Sequence, residues 1–329
     1  MAAKRSPSGG PFVVVGIGEL LWDVFPDGRR ELGGAVANLA YHASLLGDRG
    51  VLASSVGRDA NGNDLAGRLR ELGVDGRYLQ RAAGHPTGTV DVALHDGAPT
   101  YTIHEQVAFD HPRLDHAWRE LAARTDAVTF GTLAQRTVDA AAVIGAFVAA
   151  CPPHCVRLFD VNLRQHFWSA EVLDTSLEAA TAVKLNDEEL PLVAAALGLP
   201  AGDQPAMLAA LLERYGLSVA CLTRGARGCL LAGARAGGLG TPADGGGQPA
   251  ATRSIVPCIA EQPGINVPVA DTVGAGDAFA AALLYHALRG GDLQRTAAAA
   301  NRYAAFVATR RGATPAVPEP VLHEARAAA

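Results

Sequence analysis

Asp271-Thr272-Val273-Gly274-Ala275-Gly276-Asp277-Ala278-Phe279 heads an alanine-rich run with helical character, Ala275–Leu288. The first N–H groups of a helix have no partner within it, and the helix dipole makes that end attractive to negative charge. Small residues at Gly274, Ala275 and Gly276 let a ligand come close to those groups. Asp277 falls in the first turn. Acids are common at helix starts, but capping alone does not call for Gly-Ala-Gly. A carboxylate beside an anion hole suits proton removal from an alcohol that attacks a phosphoryl group.

Towards the N-terminus the chain alternates strand and helix patterns. Phe12–Val15 reads as a strand, Val36–Leu46 as a helix closed by Gly47, Val51–Val56 as a strand and Asn61–Leu72 as a helix. After a break the alternation resumes. Val128–Phe130, Val156–Asp160, Val183–Leu185 and Val219–Thr223 are strands; Val138–Ala150, Glu188–Leu197 and Pro205–Tyr215 are helices. Cys229–Leu231 follows a tight Arg224–Gly228 turn, and a second alanine-rich helix, Leu293–Thr309, ends the pattern. This order predicts an α/β fold, a three-layer αβα core around a mostly parallel sheet.

Two stretches interrupt it. Glu19–Leu32 is apolar without helical spacing, and Thr89–His104 alternates around Asp96-Gly97, a hairpin signal. Both predict a small antiparallel sheet, a lid at the C-terminal edge of the main strands. The expected division is 12–18, 35–88 and 109–320 for the core, and 19–34 and 89–108 for the lid. Trp22 and Phe25 would pack either on the lid's own second piece or on a partner lid in a homodimer. The Gly- and Pro-rich residues 233–264 read as a surface loop.

Composition excludes several classes. Lys4 and Lys184 are the only lysines, and neither lies in a glycine-rich loop, so a P-loop is absent. A net charge of −5 argues against nucleic acid as a partner. No apolar run is long enough for a membrane span, and the polar start has no signal-peptide core. Five cysteines without a CxxC pair fit a reduced, cytoplasmic protein. Cys151-Pro-Pro-His154-Cys155 has unusual spacing for a metal and reads as a helix–strand turn. Gly16-Ile17-Gly18 lacks the third glycine and following helix of a dinucleotide fingerprint.

DTVGAGDAF at 271–279 resembles the C-terminal signature of the PfkB/ribokinase family of sugar and nucleoside kinases. Gly33-Gly34-Ala35-Val36-Ala37-Asn38 resembles its N-terminal signature, with Val36 where the family usually has proline. The similarity runs from Val13 to about Pro318 and implies a ribokinase-like fold and ATP with Mg2+ as cofactors. By that resemblance Asp277 would be the base, and Gly274, Ala275 and Gly276 the anion hole. Asp23, Gly33, Gly34 and Asn38 would bind the sugar. Asn186 and Glu189 match the family's NxxE pattern, holding Mg2+ through water, though they also read as a helix cap and its capping-box partner. Thr223, Gly225, Gly228 and Asn301 would contact the nucleotide. Asp160-Val161-Asn162-Leu163-Arg164 resembles a segment of fructokinases and 2-keto-3-deoxygluconate kinases, with Arg164 on phosphoryl charge or substrate. Asp271, Val273 and Gly312 resemble residues near a monovalent cation such as K+. Neither lysine is needed for catalysis in this scheme.

Gly18–Asp23 with Pro26, GGAVAN and DVNLR look most like fructokinases, so fructose is the expected substrate. The alternatives are 2-keto-3-deoxygluconate, ribose, or a non-catalytic sugar-binding regulator. Residues 89–110 contain no Lys or Arg, only His95 and His104, which favours a neutral sugar.

Overall fold

Short runs of valine, leucine and alanine make the central strands, because a parallel strand covered by helices on both faces needs no polar side. A computed structural model of the chain describes residues 10–95, 98–233 and 257–327. Its strands are β1 (Val13–Ile17), β2 (Leu21–Val24), β3 (Arg30–Gly33), β4 (Arg49–Gly57), β5 (Asp75–Ala82), β6 (Gly88–His95), β7 (Ala98–Ile103), β8 (Ala127–Phe130), β9 (Val156–Asp160), β10 (Ala182–Asn186), β11 (Val219–Thr223), β12 (Cys229–Gly233) and β13 (Cys258–Gln262). Its helices are α1 (Ala35–Leu45), α2 (Ala60–Glu71), α3 (His116–Ala122), α4 (Val138–Ala150), α5 (Ala170–Ala179), α6 (Glu189–Ala196), α7 (Gln204–Tyr215), α8 (Ala275–Leu288), α9 (Leu293–Ala308) and α10 (Glu319–Arg326).

The main sheet has the order β13-β12-β11-β10-β9-β8-β1-β4-β5. From β11 to β5 every pairing is parallel, and β12 and β13 add an antiparallel edge. One apolar cluster packs Trp118, Phe147, Leu177, Val193 and Leu211, from α3 to α7, against one sheet face. A second packs Leu39, Phe279, Leu283 and Tyr303, from α1, α8 and α9, against the other. The three layers expected from the alternation are therefore present.

β5 and β13 escaped the sequence pattern because both are edge strands with mixed polarity. Cys258–Gln262 lies within the stretch expected to be a loop, Gly233 at its start ends β12, and its residues 234–256 lie outside the described residues. Gly16, expected as the end of the first strand, lies inside it. A Cβ there would stand 2.2 Å from the Val36 carbonyl oxygen, so its bare backbone lets α1 lie directly on β1.

The small sheet has the order β3-β2-β6-β7. Its two outer pairings are antiparallel as expected, whereas β2 and β6 run parallel. Trp22 packs on neither of the surfaces expected for it. It is 7% exposed, sits with Val36, Tyr41, Leu65 and Leu69 of α1 and α2, and donates its indole N–H to the Asn61 carbonyl. Trp22 alternates with Leu21 and Asp23 along β2, so docking this face on α2 turns Asp23 to the opposite side. Arg136 ties the other end of the small sheet down. It is buried, pairs with Asp110 at 2.7 Å and donates to the His104 carbonyl.

Adding a methyl group at Gly16 forces α1 off β1. Gly16→Ala is expected to cost about 1–3 kcal/mol of stability, read as a lower urea midpoint with an unchanged slope.

Candidate active site

Helix α8 starts after Gly274, whose φ of 78° puts it in the left-handed region. A Cβ on Gly274 would lie 2.5 Å from Ala313 Cα, so only glycine fits this turn. Among the described residues, the N–H groups of Gly274, Gly276 and Asp277 have no hydrogen-bond acceptor, while that of Ala275 turns back to the Thr272 carbonyl at 3.3 Å. The open donors thus extend to Asp277 itself, one residue further than the sequence suggested.

Asp277 stands beside these donors. Its Oδ2 accepts from Asn38 Nδ2 at 2.8 Å, joining the GGAVAN segment on α1 to α8 across 239 residues of sequence. Asn38 Oδ1 is buried without a hydrogen-bond partner among the described residues. Asp277 is partly open to the cleft, yet loss of solvent is the main cause that pushes its carboxyl up to about 6. The charge of Asp160 adds to the rise; Asn38, Lys184 and Arg164 oppose it. On β2, burial and the neighbouring Glu31 push Asp23 to about 6 as well, with Arg164 pulling the other way. Arg164 is an exposed side chain whose charge is felt by Asp23, Asp277 and Glu19. Gly33 and Gly34 lie at the end of β3 and the start of α1.

Lys184, unused in the sequence scheme, reaches this centre from inside the main sheet. Its Nζ lies 2.8 and 2.9 Å from the two Asp160 oxygens, and a Cβ on Gly276 would stand 3.4 Å from it. Burial works against the ammonium, but Asp160 outweighs it and the net shift is upwards. A lysine within an apolar strand run was the available sequence signal. His42 was also missed. Buried in α1, it is held neutral, with its pKa lowered to about 4 by burial. The Ala313 carbonyl can only accept, so Nε2 carries the proton at 3.0 Å while Nδ1 takes the Tyr303 hydroxyl at 2.9 Å. His42 thereby fixes the loop on which Gly274 rests.

Asn186 and Glu189 form the reciprocal cap of α6. Asn186 Oδ1 accepts from the Glu189 N–H at 2.8 Å, and Glu189 Oε2 accepts from the Asn186 N–H at 2.8 Å. Glu189 Oε1 accepts from Leu163 N–H, so it also binds the loop that carries Arg164. Both carboxylate oxygens are engaged, a donor set that suits contact with a hydrated cation through water. Among the described residues no group of three or more His, Cys, Asp or Glu could hold a metal directly.

Thr223, Gly225 and Gly228 lie on and after β11, the third strand from one edge of the sheet. Gly228 packs on the backbone of Gln262 and Pro263, and Asn301 Nδ2 donates to the Pro263 carbonyl at 2.8 Å. Gly228 and Asn301, far apart in sequence, thus meet at Pro263, and Thr223 and Gly225 lie on the same β11–β12 connection as Gly228. Asp271 joins two loops, accepting from Val273 N–H and Gly312 N–H at 3.0 Å each. The Cys151–Cys155 segment forms the α4–β9 connection, away from this centre.

A carboxylate held by an amide next to unfilled helix-end donors is an arrangement that suits an alcohol and an attacked phosphoryl group. The family model described as "pfkB family carbohydrate kinase" matches residues 24–320, and the chain belongs to that family. It is 28% identical over 324 residues to PH1459 of Pyrococcus horikoshii, described as an uncharacterized sugar kinase, covering 92% of this chain and 91% of that protein. The crystal structure of that protein matches with a TM-score of 0.76 over 96% of this chain and 99% of the other; a second one is described as a complex with ATP. It is 28% identical over 331 residues to a fructokinase of Escherichia coli, covering 92% of this chain and 95% of the relative. A fructokinase from Vibrio cholerae, solved with fructose, ADP and calcium, has the same fold at a TM-score of 0.71, 24% identity, and coverage of 95% and 98%.

Any side chain at position 274 must push the start of α8 away from Ala313. Gly274→Ala is expected to lower turnover about 100-fold while binding of the sugar is kept, as read by steady-state kinetics and calorimetry.

Proposed function

We propose that the chain transfers the γ-phosphoryl group of ATP to a hydroxyl of a small neutral sugar, with fructose as the first candidate. The observation that carries this reading is the Asn38–Asp277 hydrogen bond beside the open N–H groups of Gly274, Gly276 and Asp277. Asp277 takes the proton of the attacking hydroxyl. The helix-end amides receive the charge of the transferring phosphoryl, with Lys184 behind them and Arg164 at the cleft edge. Asp23, Gly33, Gly34 and Asn38 line the sugar site, Asn38 offering its unpartnered Oδ1 to a hydroxyl. The small sheet closes over that site as a lid and excludes water, the competing acceptor.

Thr223, Gly225, Gly228 and Asn301 form the nucleotide end. Mg2+ neutralises phosphate charge when bound, held through water by Asn186 and Glu189. Asp271, Val273 and Gly312 frame the place for a monovalent cation such as K+.

The charge of the cleft supports a neutral acceptor. Glu31 acts on Asp23, Asp160 on Asp277 and Asp277 on Glu19, and this gathering of carboxylates disfavours a carboxylate or phosphate on the sugar. His104 is tied to Asp91 at 2.8 Å, and Arg136 to Asp110, so neither is free to meet a substrate anion. A coupled assay over fructose, ribose, 2-keto-3-deoxygluconate, fructose 6-phosphate and adenosine tests the substrate. Preference for either anionic sugar overturns the neutral-sugar reading.

Asp277 must be ionised to accept a proton, so kcat/KM should fall as pH drops through about 6. Asp277→Asn should lose turnover by about 1,000-fold or more, within the range for a positioned base, while ATP binding measured by calorimetry persists.

A further inference from the structure

Helix α1 carries Asn38 in its first turn, yet nothing local holds its start. Its N-cap is Gly34, without a side chain, and its first turn contains no acid. The missing acceptor comes from sixteen residues upstream. Glu19, at the junction of β1 and the small sheet, is 4% exposed, and its Oε1 accepts from the Ala35 N–H at 3.0 Å. The backbone follows the same path, since a Cβ on Gly34 would stand 2.5 Å from the Glu19 carbonyl oxygen. From there the connection is continuous. The N–H groups of Ala37 and Asn38 close on the Gly34 carbonyl, and the Asn38 amide closes on Asp277.

We propose that Glu19 is a positioning residue for phosphoryl transfer, fixing the start of α1 and so holding Asn38 on the carboxylate of Asp277. The inference rests on Asp277 being the base. Glu19 reaches no reacting atom; it acts through the helix. The groups that face it are few. They are its own N–H and that of Ala35, the charges of Asp277 on α8 and Arg164 after β9, and Asp160, Asn162 and Thr129 across a cavity of about 10 Å³, one water site. Burial, with Asp277 adding to it, pushes the Glu19 carboxyl to about 7.

The test uses the full chain with Glu19→Gln and Glu19→Ala. Glutamine keeps an acceptor for the Ala35 N–H but carries no charge; alanine removes both. Glu19→Ala should lower kcat about 100-fold, the size expected of a misplaced reacting group, with KM for ATP unchanged. Glu19→Gln should restore most of that turnover and leave the acid limb of its kcat/KM profile in place, because Glu19 is already largely protonated where Asp277 titrates. A merely structural role would lower the amount of folded enzyme in Glu19→Ala without lowering the kcat of the folded fraction. Parent-like turnover in Glu19→Ala overturns the proposal. So does a folded Glu19→Gln as slow as Glu19→Ala. If Glu19→Ala fails to fold, Glu19→Asp takes its place: its shorter side chain withdraws the acceptor from the Ala35 N–H, and parent-like turnover there overturns the proposal. Full turnover in Asp277→Asn removes the base reading itself; loss there with parent-like Glu19 variants removes only this inference.

Discussion

The hydrogen bond from Asn38 to Asp277 joins the two helices on which the site is built. α1 and α8 lie side by side on one face of the sheet, and Leu39, Ala43, Phe279 and Leu283 share one apolar cluster between them. That packing sets the distance at which an amide on one helix meets a carboxylate on the other. Small residues make the approach close: Gly16 brings α1 down on β1, and Ala278, Ala280, Ala281 and Ala282 keep α8 thin against its neighbours. The open N–H groups of α8 are then aimed at the same point, and they stay open because Gly274 turns the chain in a way no side chain permits.

Around this contact the site combines opposite charges at different depths. Asp160 and Lys184 form a buried pair on adjacent strands, and the charges of both are felt by Asp277. A buried pair of this kind is weak evidence for stability. Its place directly behind Gly276 gives it electrostatic reach to the open N–H groups at the start of α8, where a lysine has little freedom to move. Arg164 balances the carboxylates from the solvent side, on a loop held by the same Glu189 that caps α6. One carboxylate therefore links the NxxE segment to the DVNLR segment, two motifs that look independent in sequence.

Much of the fold was legible because central parallel strands are short apolar runs and their helices end at glycines. Residues 128–130, 156–160 and 219–223 stand out for that reason. The elements missed are those the pattern cannot mark: edge strands β5 and β13 alternate polarity, and α3, α5 and α10 are short. Of the site, the glycines and acids at helix starts were legible because their type is odd for their place. Glu19, His42 and Lys184 were not, because a polar residue inside an apolar segment marks itself as unusual without naming the distant partner that explains it. Trp22 was misplaced for a related reason: its apolar character demands burial but does not say against which surface.

By itself the sequence determined the layered α/β class, the family signatures at 33–38 and 271–279, and the likeness to sugar kinases, since these depend on periodicity and on residues close together in the chain. Only the tertiary structure decided that Glu19 caps α1, that Lys184 lies under Gly276, and that His42 braces the loop behind Gly274. Each is a contact between residues far apart in the chain, and its meaning comes from a partner that local spacing cannot name. A buried charge or imidazole is stable only when its partner is in place, so the fold supplies both the site and the reason these residues can occupy it.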